Sequence, residues 1–220
     1  MGNNTIEILQ QYLWKASYET IEMVIISLLV ALIFGTILGL ILYLSETELL
    51  VKNKVVNSIA ATLVNVIRSI PFIILLVVLI PLTKLITGTT IGPIAASVPL
   101  SFCAIAFHAR LIEGAFADID SGVIESSVAT GSSIKLIITN VLFVEARPAI
   151  VRSITITFVS LIGYSAMAGI VGGGGIGDLA IQFGYYRYES GVMLVTVILL
   201  VFIVQIAQII GDKIAESFVH

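Results

Sequence analysis

The sequence contains few charged residues and almost no cysteine. Only 11% of its 220 residues are Asp, Glu, Lys or Arg, whereas a soluble domain carries about 25%. The single cysteine, Cys103, excludes a disulfide framework and a multi-cysteine metal site. Its apolar neighbours predict a small buried side chain and not a reactive thiol. The formal net charge of −3 indicates that nucleic acid is not a partner, because nucleic-acid binding requires a basic surface.

The uncharged stretches of the sequence are long apolar runs, and hydrophobic residues make up 58% of the chain. Crossing about 30 Å of hydrocarbon takes roughly 20 helical residues. Backbone groups in lipid must be paired within the element, so these runs form helices. The sequence therefore predicts an all-α, polytopic membrane protein with about five transmembrane helices. The predicted spans are 23–45, 55–83, 85–107 (its spanning part beginning near Gly92), 153–177 and 190–211.

The distribution of Lys and Arg predicts how the chain is oriented. An odd number of spans places the termini on opposite sides, and cytoplasmic loops are enriched in basic residues. An external N-terminus and a cytoplasmic C-terminus give seven basic residues in cytoplasmic segments and three in outer ones. These are Lys52, Lys54, Arg110, Lys135, Arg147, Arg152 and Lys213 against Lys15, Lys84 and Arg187. The chain is predicted to be one multi-pass domain of the cell membrane, residues 1–220.

One polar segment, residues 113–147, lies between the third and fourth spans, on the predicted cytoplasmic side. Asp120 or Ser121 can cap a short helix that begins near Gly122. Gly131 suits the position after that helix, where a positive φ is needed. A second helix is expected from Ser132 or Ser133 to about Phe143.

The short helix carries small residues on one side, Ser126, Ser127 and Ala129, which would let another surface approach its backbone closely. Two interpretations are open at this point. The helix docks against a partner, or it lies idle at the membrane surface.

The run Glu125-Ser126-Ser127, then Gly131 after three residues and Val141-Leu142-Phe143 after nine more, resembles the signature loop of ABC importer permeases. That loop reads Glu-Ala-Ala, three residues, Gly, nine residues, then Ile-x-Leu-Pro. Serines replace the alanines here, and Phe143-Val144 replaces Leu-Pro, so we expect a less sharply bent exit.

In this family the loop is the coupling helix, which inserts into a groove on the ATPase subunit. The resemblance therefore implies the type I ABC importer transmembrane-domain fold and a cytoplasmic coupling segment at 113–147. The residues to which it assigns ATPase coupling are Ser121, Gly122, Ile124, Glu125, Ser126, Ser127 and Gly131.

Narrower resemblances, extending from Tyr18 to Asp212, are to the methionine-uptake branch of these permeases. They comprise residues 67–76 (IRSIPFIILL), 163–167 (GYSAM), 172–177 (GGGGIG) and 182–185 (QFGY). The resemblance implies a second copy of the chain, two cytoplasmic ABC ATPase subunits and a substrate-binding protein outside the membrane, expected to be a lipoprotein. It places ATP and Mg on the ATPase and no cofactor or metal on this chain.

The translocation pathway or gate is expected at Arg68, Ser69, Pro71, Tyr164, Ser165 and Met167. A charge at mid-bilayer costs about 2.5–3.5 kcal/mol, so Arg68 lies along the pathway or a subunit interface, or it snorkels to the cytoplasmic surface. Pro71 interrupts the helix. The flexible thioether of Met167 can form a soft constriction, and ordinary helix packing is the alternative for the residues around it.

Two glycine patterns have structural interpretations. The loop at 172–177 is not a phosphate loop, because no Gly-Lys-Ser/Thr follows and no strand precedes it. It predicts a flexible outer loop, with contact to a substrate-binding protein as the alternative. Gly35 and Gly39, four residues apart in the first span, allow a neighbouring helix to approach closely.

The sequence offers no catalytic constellation. Its two histidines are His108 and the terminal His220, no acidic residue lies inside a span away from its ends, and the nucleotide-binding Gly-Lys-Ser/Thr motif is absent. The chain is therefore predicted not to be catalytic by itself. The remaining alternatives are a permease for another amino acid or small organic solute, a self-sufficient secondary carrier, which should show mid-membrane charges and paired repeats, and, last, a membrane enzyme.

Overall fold

A computed structural model describes residues 3–218 as helices joined by short connections, with no strand in that range. The helices are α1 (Asn3–Val30, a π-helical turn at Ala31–Gly35, then Thr36–Glu46), α2 (Lys54–Ser69), α3 (Phe72–Val78), α4 (Ile80–Thr87), α5 (Pro93–Ala117), α6 (Ser121–Ala129), α7 (Ile134–Leu136, a π-helical turn at Ile137–Leu142, then Phe143–Glu145), α8 (Arg147–Gly169), α9 (Gly175–Leu179, then a π-helical turn at Ala180–Tyr185) and α10 (Ser190–Glu216).

Within residues 3–218, four helices are long and apolar enough to cross a membrane: α1, α5, α8 and α10. The pair α2 and α3, bent by 105°, supplies a fifth span if the two are counted together. The prediction of about five transmembrane helices is therefore confirmed.

The second span differs from the single run predicted at 55–83, because it is divided into three helices. Pro71 lacks an N–H, and the residue before a proline avoids the helical region. Ile70 accordingly has ψ of 123°, and α3 starts only at Phe72. The predicted break at Pro71 is confirmed.

Other helix boundaries also differ from the predicted ones. α1 starts at Asn3 and not near residue 23, and α5 and α10 extend past their predicted ends at 107 and 211. The start of α5 at Pro93 follows Gly92, whose φ is 98°. The fourth span was predicted to end at residue 177, but α8 ends at Gly169, before the glycine-rich loop.

Helix α5 is the central helix of the bundle, in contact with α1, α2 and α8. Its close packing on α1 depends on glycine: a Cβ on Gly39 would lie 2.6 Å from the Ala109 carbonyl oxygen, and one on Gly35 would lie 3.1 Å from His108. The predicted packing role of both glycines is confirmed. α10 lies at the periphery and packs mainly on α8.

The spans alternate in direction, which places the two ends of the described chain at opposite ends of the bundle. We call the end that carries α6 and α7 the coupling end, and the end that carries residues 170–189 the glycine end. Thr5, near the start of α1, meets Gly191 at the glycine end. Tyr43 and Phe116 meet at the coupling end, with ring centroids 5.7 Å apart.

Candidate coupling surface and transport path

Helix α6 is fixed at both termini by its own sequence. The Asp120 carboxylate accepts a hydrogen bond from the backbone N–H of Gly122 at 2.7 Å, which caps the first turn. At the other end Gly131 has φ of 77°, its N–H bonds the Val128 carbonyl at 2.9 Å, and the N–H of Ser132 bonds the Ser127 carbonyl. This pair of bonds is the Schellman arrangement for a helix C-terminus. The predicted caps at both ends are confirmed.

Helix α7 follows after a short connection. Ser132 or Ser133 was predicted to cap this helix, and Ser133 does so: its hydroxyl accepts a hydrogen bond from the Leu136 N–H at 3.4 Å. The helix continues to Glu145, slightly past the predicted Phe143, and Ala146 turns the chain directly into α8.

Ile124 differs from the other residues to which coupling was assigned. It is only 3% exposed and packs in a cluster with Phe116 of α5 and Leu142 of α7. It therefore anchors α6 to the bundle and does not present a surface to a partner. Its assignment to ATPase coupling stays a prediction.

The remaining coupling residues lie on the outside of α6. Ser121, Gly122, Glu125 and Ser126 are exposed, and Ser127 is half-buried. The hydroxyls of Ser126 and Ser127 both donate to the Val123 carbonyl, at 2.9 and 2.8 Å. The face is small because serine side chains are small. It needs no polar partner, because both hydroxyls are already hydrogen-bonded within the helix.

The bend between α2 and α3 lies beside the last third of α8. Phe72 stacks on Tyr164 with ring centroids 5.1 Å apart, which brings together two parts of the predicted pathway. Arg68, Ser69 and Pro71 are exposed at this bend.

Two other pathway residues on α8 face opposite ways. Met167 is 45% exposed. Ser165 is buried, and its hydroxyl donates to the Ile162 carbonyl at 2.7 Å. Met167 therefore lies at an open surface in this conformation, whereas Ser165 is buried. The assignment of both residues to the pathway stays a prediction.

Sequence reasoning missed the part that His108 plays. The side chain is fully buried and joins three helices: Nδ1 lies 2.9 Å from the Thr157 hydroxyl on α8, and Nε2 lies 3.3 Å from the Thr36 hydroxyl on α1. The Thr157 hydroxyl donates to the Ser153 carbonyl, so it accepts from Nδ1–H. Nε2 is then the acceptor for Thr36. The sequence signal that could have indicated this role was the presence of hydroxyl residues in two other apolar helices, Thr36 in α1 and Thr157 in α8.

Arg110 links α2 to the start of the coupling segment. Its Nη1 donates to Glu113 at 2.7 Å and its Nη2 to Asn65 of α2 at 2.9 Å. The pair stands at the coupling end of α5 and ties α2 to the beginning of segment 113–147.

The glycine-rich loop is packed against the bundle, which differs from the flexible loop predicted. Glu19 of α1 accepts from the Gly175 N–H at 2.9 Å, and Thr20 accepts from the Ile176 N–H at 2.8 Å. A Cβ on Gly177 would overlap Ala166 Cα, so the loop approaches α8 at backbone distance. The glycines of the loop therefore allow its backbone to pack closely against the bundle.

A cavity of about 550 Å³ opens at the glycine end between α1, the loop and α9. Its lining includes charged side chains of both signs, Lys15, Glu19, Asp178 and Arg187. Burial raises the pKa of the Asp178 carboxyl, while the hydrogen bond from Gln182 acts in the opposite direction. This end of the molecule therefore presents a polar, concave surface.

Sequence comparison relates most of the chain to known membrane components. Residues 31–218 match the family described as "Binding-protein-dependent transport system inner membrane component". The chain is 46% identical over 208 residues to the probable D-methionine transport system permease protein MetI of Vibrio cholerae, covering 94% of this chain and 92% of the relative. It is also 46% identical over 204 residues to the methionine import system permease protein MetP of Bacillus subtilis, covering 93% and 92%.

Structural comparison gives the same relationship. A chain from the inward facing conformations of the MetNI methionine ABC transporter superposes with a TM-score of 0.93 at 39% identity, covering 100% of both chains. The fold is that of an ABC importer permease of type I, as the sequence predicted.

Proposed function

Because the chain belongs to the family of binding-protein-dependent transport system inner membrane components, we propose that it is the permease subunit of an ATP-driven ABC importer for methionine. The observation that carries the proposal is α6, a helix capped at both ends that presents small residues at one end of a membrane bundle. Relatives that share 46% of their residues with this chain are named as methionine permeases.

The coupling end faces the cytoplasm and the glycine end faces outward. The excess of Lys and Arg in the segments at the coupling end supports this orientation. A cytoplasmic ABC ATPase receives α6 in a groove, with Ser121, Gly122, Glu125, Ser126, Ser127 and Gly131 at or beside the contact. ATP and Mg bind to that ATPase, and hydrolysis occurs there.

Transport proceeds by alternating access in a pair of these chains around a central path. Closure of two ATPase subunits on ATP displaces both α6 helices. Ile124 transmits the displacement, since it packs against Phe116 of α5 and Leu142 of α7. α7 leads directly into α8, which carries Met167. ATP binding thus biases a two-state bundle between inward- and outward-facing forms.

The gate lies where α8 passes the bend between α2 and α3. Met167 supplies a flexible apolar constriction, and Tyr164 is held by stacking on Phe72. Arg68, Ser69 and Pro71 border the path at the bend. An external binding protein, a lipoprotein by resemblance, docks at the glycine end and releases substrate near the polar cavity.

Reconstitution tests this function directly. Proteoliposomes that contain the chain, its ATPase and its binding protein should accumulate methionine only with ATP, and unlabelled methionine should compete better than other amino acids. Competition in favour of another amino acid would support the second candidate, a permease for a different small solute. Uptake by the chain alone, driven by an ion gradient, would contradict the proposal and indicate a secondary carrier.

A further inference from the structure

One face of α8 is open along most of the helix. Arg152, Ile156, Gly163 and Met167 are exposed, and Ser160 is half-buried. Their spacings of three or four residues place them on one side of the helix. The proposed gate residue Met167 therefore shares its face with residues that continue toward the coupling end.

A groove of about 470 Å³ lies along that face, between α8 and α10. Arg152 borders it from α8, and Gln205, Gln208 and Asp212 border it from α10. Gln205 lies eleven residues before the end of α10 at Glu216, which is about 16 Å along the helix axis. The groove thus extends from the coupling end to about the middle of the span.

A second groove, of about 370 Å³, lies between the same two helices and Leu28 of α1. It is lined almost entirely by apolar side chains, among them Phe158, Ile210 and Ile214, and such a surface is compatible with lipid. Charged and amide side chains at membrane depth instead face a protein or a water-filled cavity. Gln205 and Gln208 lie within the predicted span 190–211. The groove that they border together with Arg152 and Asp212 therefore belongs to the side of the chain that faces the path.

The two charges in the groove are available to a ligand. Both side chains are exposed, and within residues 3–218 no ion pair joins Arg152 or Asp212 to each other or to another residue. A guanidinium binds a carboxylate through two parallel hydrogen bonds, and a carboxylate accepts from an ammonium group. An α-amino acid carries both complementary groups on one carbon, and the volume falls within the roughly 300–1,000 Å³ of ligand pockets.

We propose that this groove is a release site for a zwitterionic α-amino acid, located between Met167 and the coupling end. Arg152 holds the carboxylate, Asp212 holds the ammonium group, and Gln208 borders the same groove. The inference rests on the proposed function, because it takes the substrate to be an amino acid that passes Met167. It adds a binding site on this chain, distinct from the gate.

The test is protection of a thiol placed in the groove. In the permease–ATPase complex without binding protein or nucleotide, Cys103→Ala removes the native thiol and Ile156→Cys introduces one. A water-soluble maleimide should alkylate this position, and millimolar methionine should slow the reaction at least threefold. Methioninol, which lacks the carboxylate, should not protect, and adding Arg152→Gln should abolish protection by methionine.

Ile210→Cys is the matched control, because Ile210 has similar exposure, 53% against 47% for Ile156, but lies in the apolar groove. Its labelling should be slow and independent of methionine. The proposal is overturned if methionine leaves the rate at position 156 unchanged. It is also overturned if the reagent cannot reach that position, since a second copy would then cover the groove. Uptake by the same variants with the full complex separates the two proposals: uptake without protection removes the site and leaves the function standing.

Discussion

At the scale of single residues, His108 is the polar centre of an apolar bundle. It accepts from Thr36 on α1 and donates to Thr157 on α8, so three helices share one imidazole. His108→Ala would leave these hydroxyls with one bond fewer and open a cavity beside Gly35. We expect a loss of about 1–3 kcal/mol, measured as a lower unfolding temperature in detergent. His108→Asn, which can still donate and accept, should recover part of the loss; equal stability of His108→Ala and wild type would contradict this assignment.

Gly39 and Gly114 provide a matched pair of helical glycines. A Cβ on Gly39 would lie 2.6 Å from the Ala109 carbonyl oxygen and 2.8 Å from Ile112 Cβ, whereas one on Gly114 meets nothing within 4 Å. Gly39→Ala should therefore separate α1 from α5 and cost about 1–3 kcal/mol. Gly114→Ala should be neutral or slightly stabilising, because alanine favours a helix. Thermal unfolding of both variants measures the difference, and equal effects would argue against close packing at Gly39.

At the scale of elements, α6 is expected to bind the ATPase through its exposed face. Glu125→Arg reverses a charge on that face without touching the buried anchor Ile124. We expect the chain to insert normally, the co-purified ATPase to fall several-fold, and ATP use to become uncoupled from transport. Glu7→Arg, an exposed glutamate at the glycine end, is the control and should retain the ATPase. Wild-type coupling in Glu125→Arg would count against the docking of α6.

The termini of α6 give a second prediction for this element. Asp120→Ala removes the acceptor for the Gly122 N–H and should destabilise the helix by about 0.5–2 kcal/mol. Asp120→Asn retains an acceptor oxygen and should behave like wild type. Hydrogen exchange at residues 122–124 measures the effect, with faster exchange expected only in the alanine variant. Unchanged exchange in that variant would show that the cap does not hold the helix.

Local sequence signals were sufficient for some elements and insufficient for others. The caps at Asp120, Gly131 and Ser133 and the break at Pro71 were predictable, because each depends on backbone chemistry within a few residues. The orientation of a side chain toward a distant helix was not. Ser165 and Ile124 are buried, and Glu19 reaches the glycine loop, through contacts that only the packed bundle creates.

At the scale of the whole molecule, the chain is a bundle with two structurally different ends. The glycine end offers a polar cavity of about 550 Å³, and the coupling end carries α6 anchored on the central helix α5. The peripheral helix α10 leaves most of its surface without a partner in the chain. This surface and the open face of α8 are consistent with a second copy and a shared water-filled path.

The side of the membrane on which α6 lies is the most direct test of the proposed coupling role, because a helix that faces outward could not reach a cytoplasmic ATPase. Ser126→Cys in a Cys103→Ala background should react with a membrane-impermeant maleimide only in inside-out vesicles, and bound ATPase should slow the reaction. Labelling of Ser126→Cys in intact cells, from the external medium, would contradict both the coupling role of α6 and the importer assignment that depends on it.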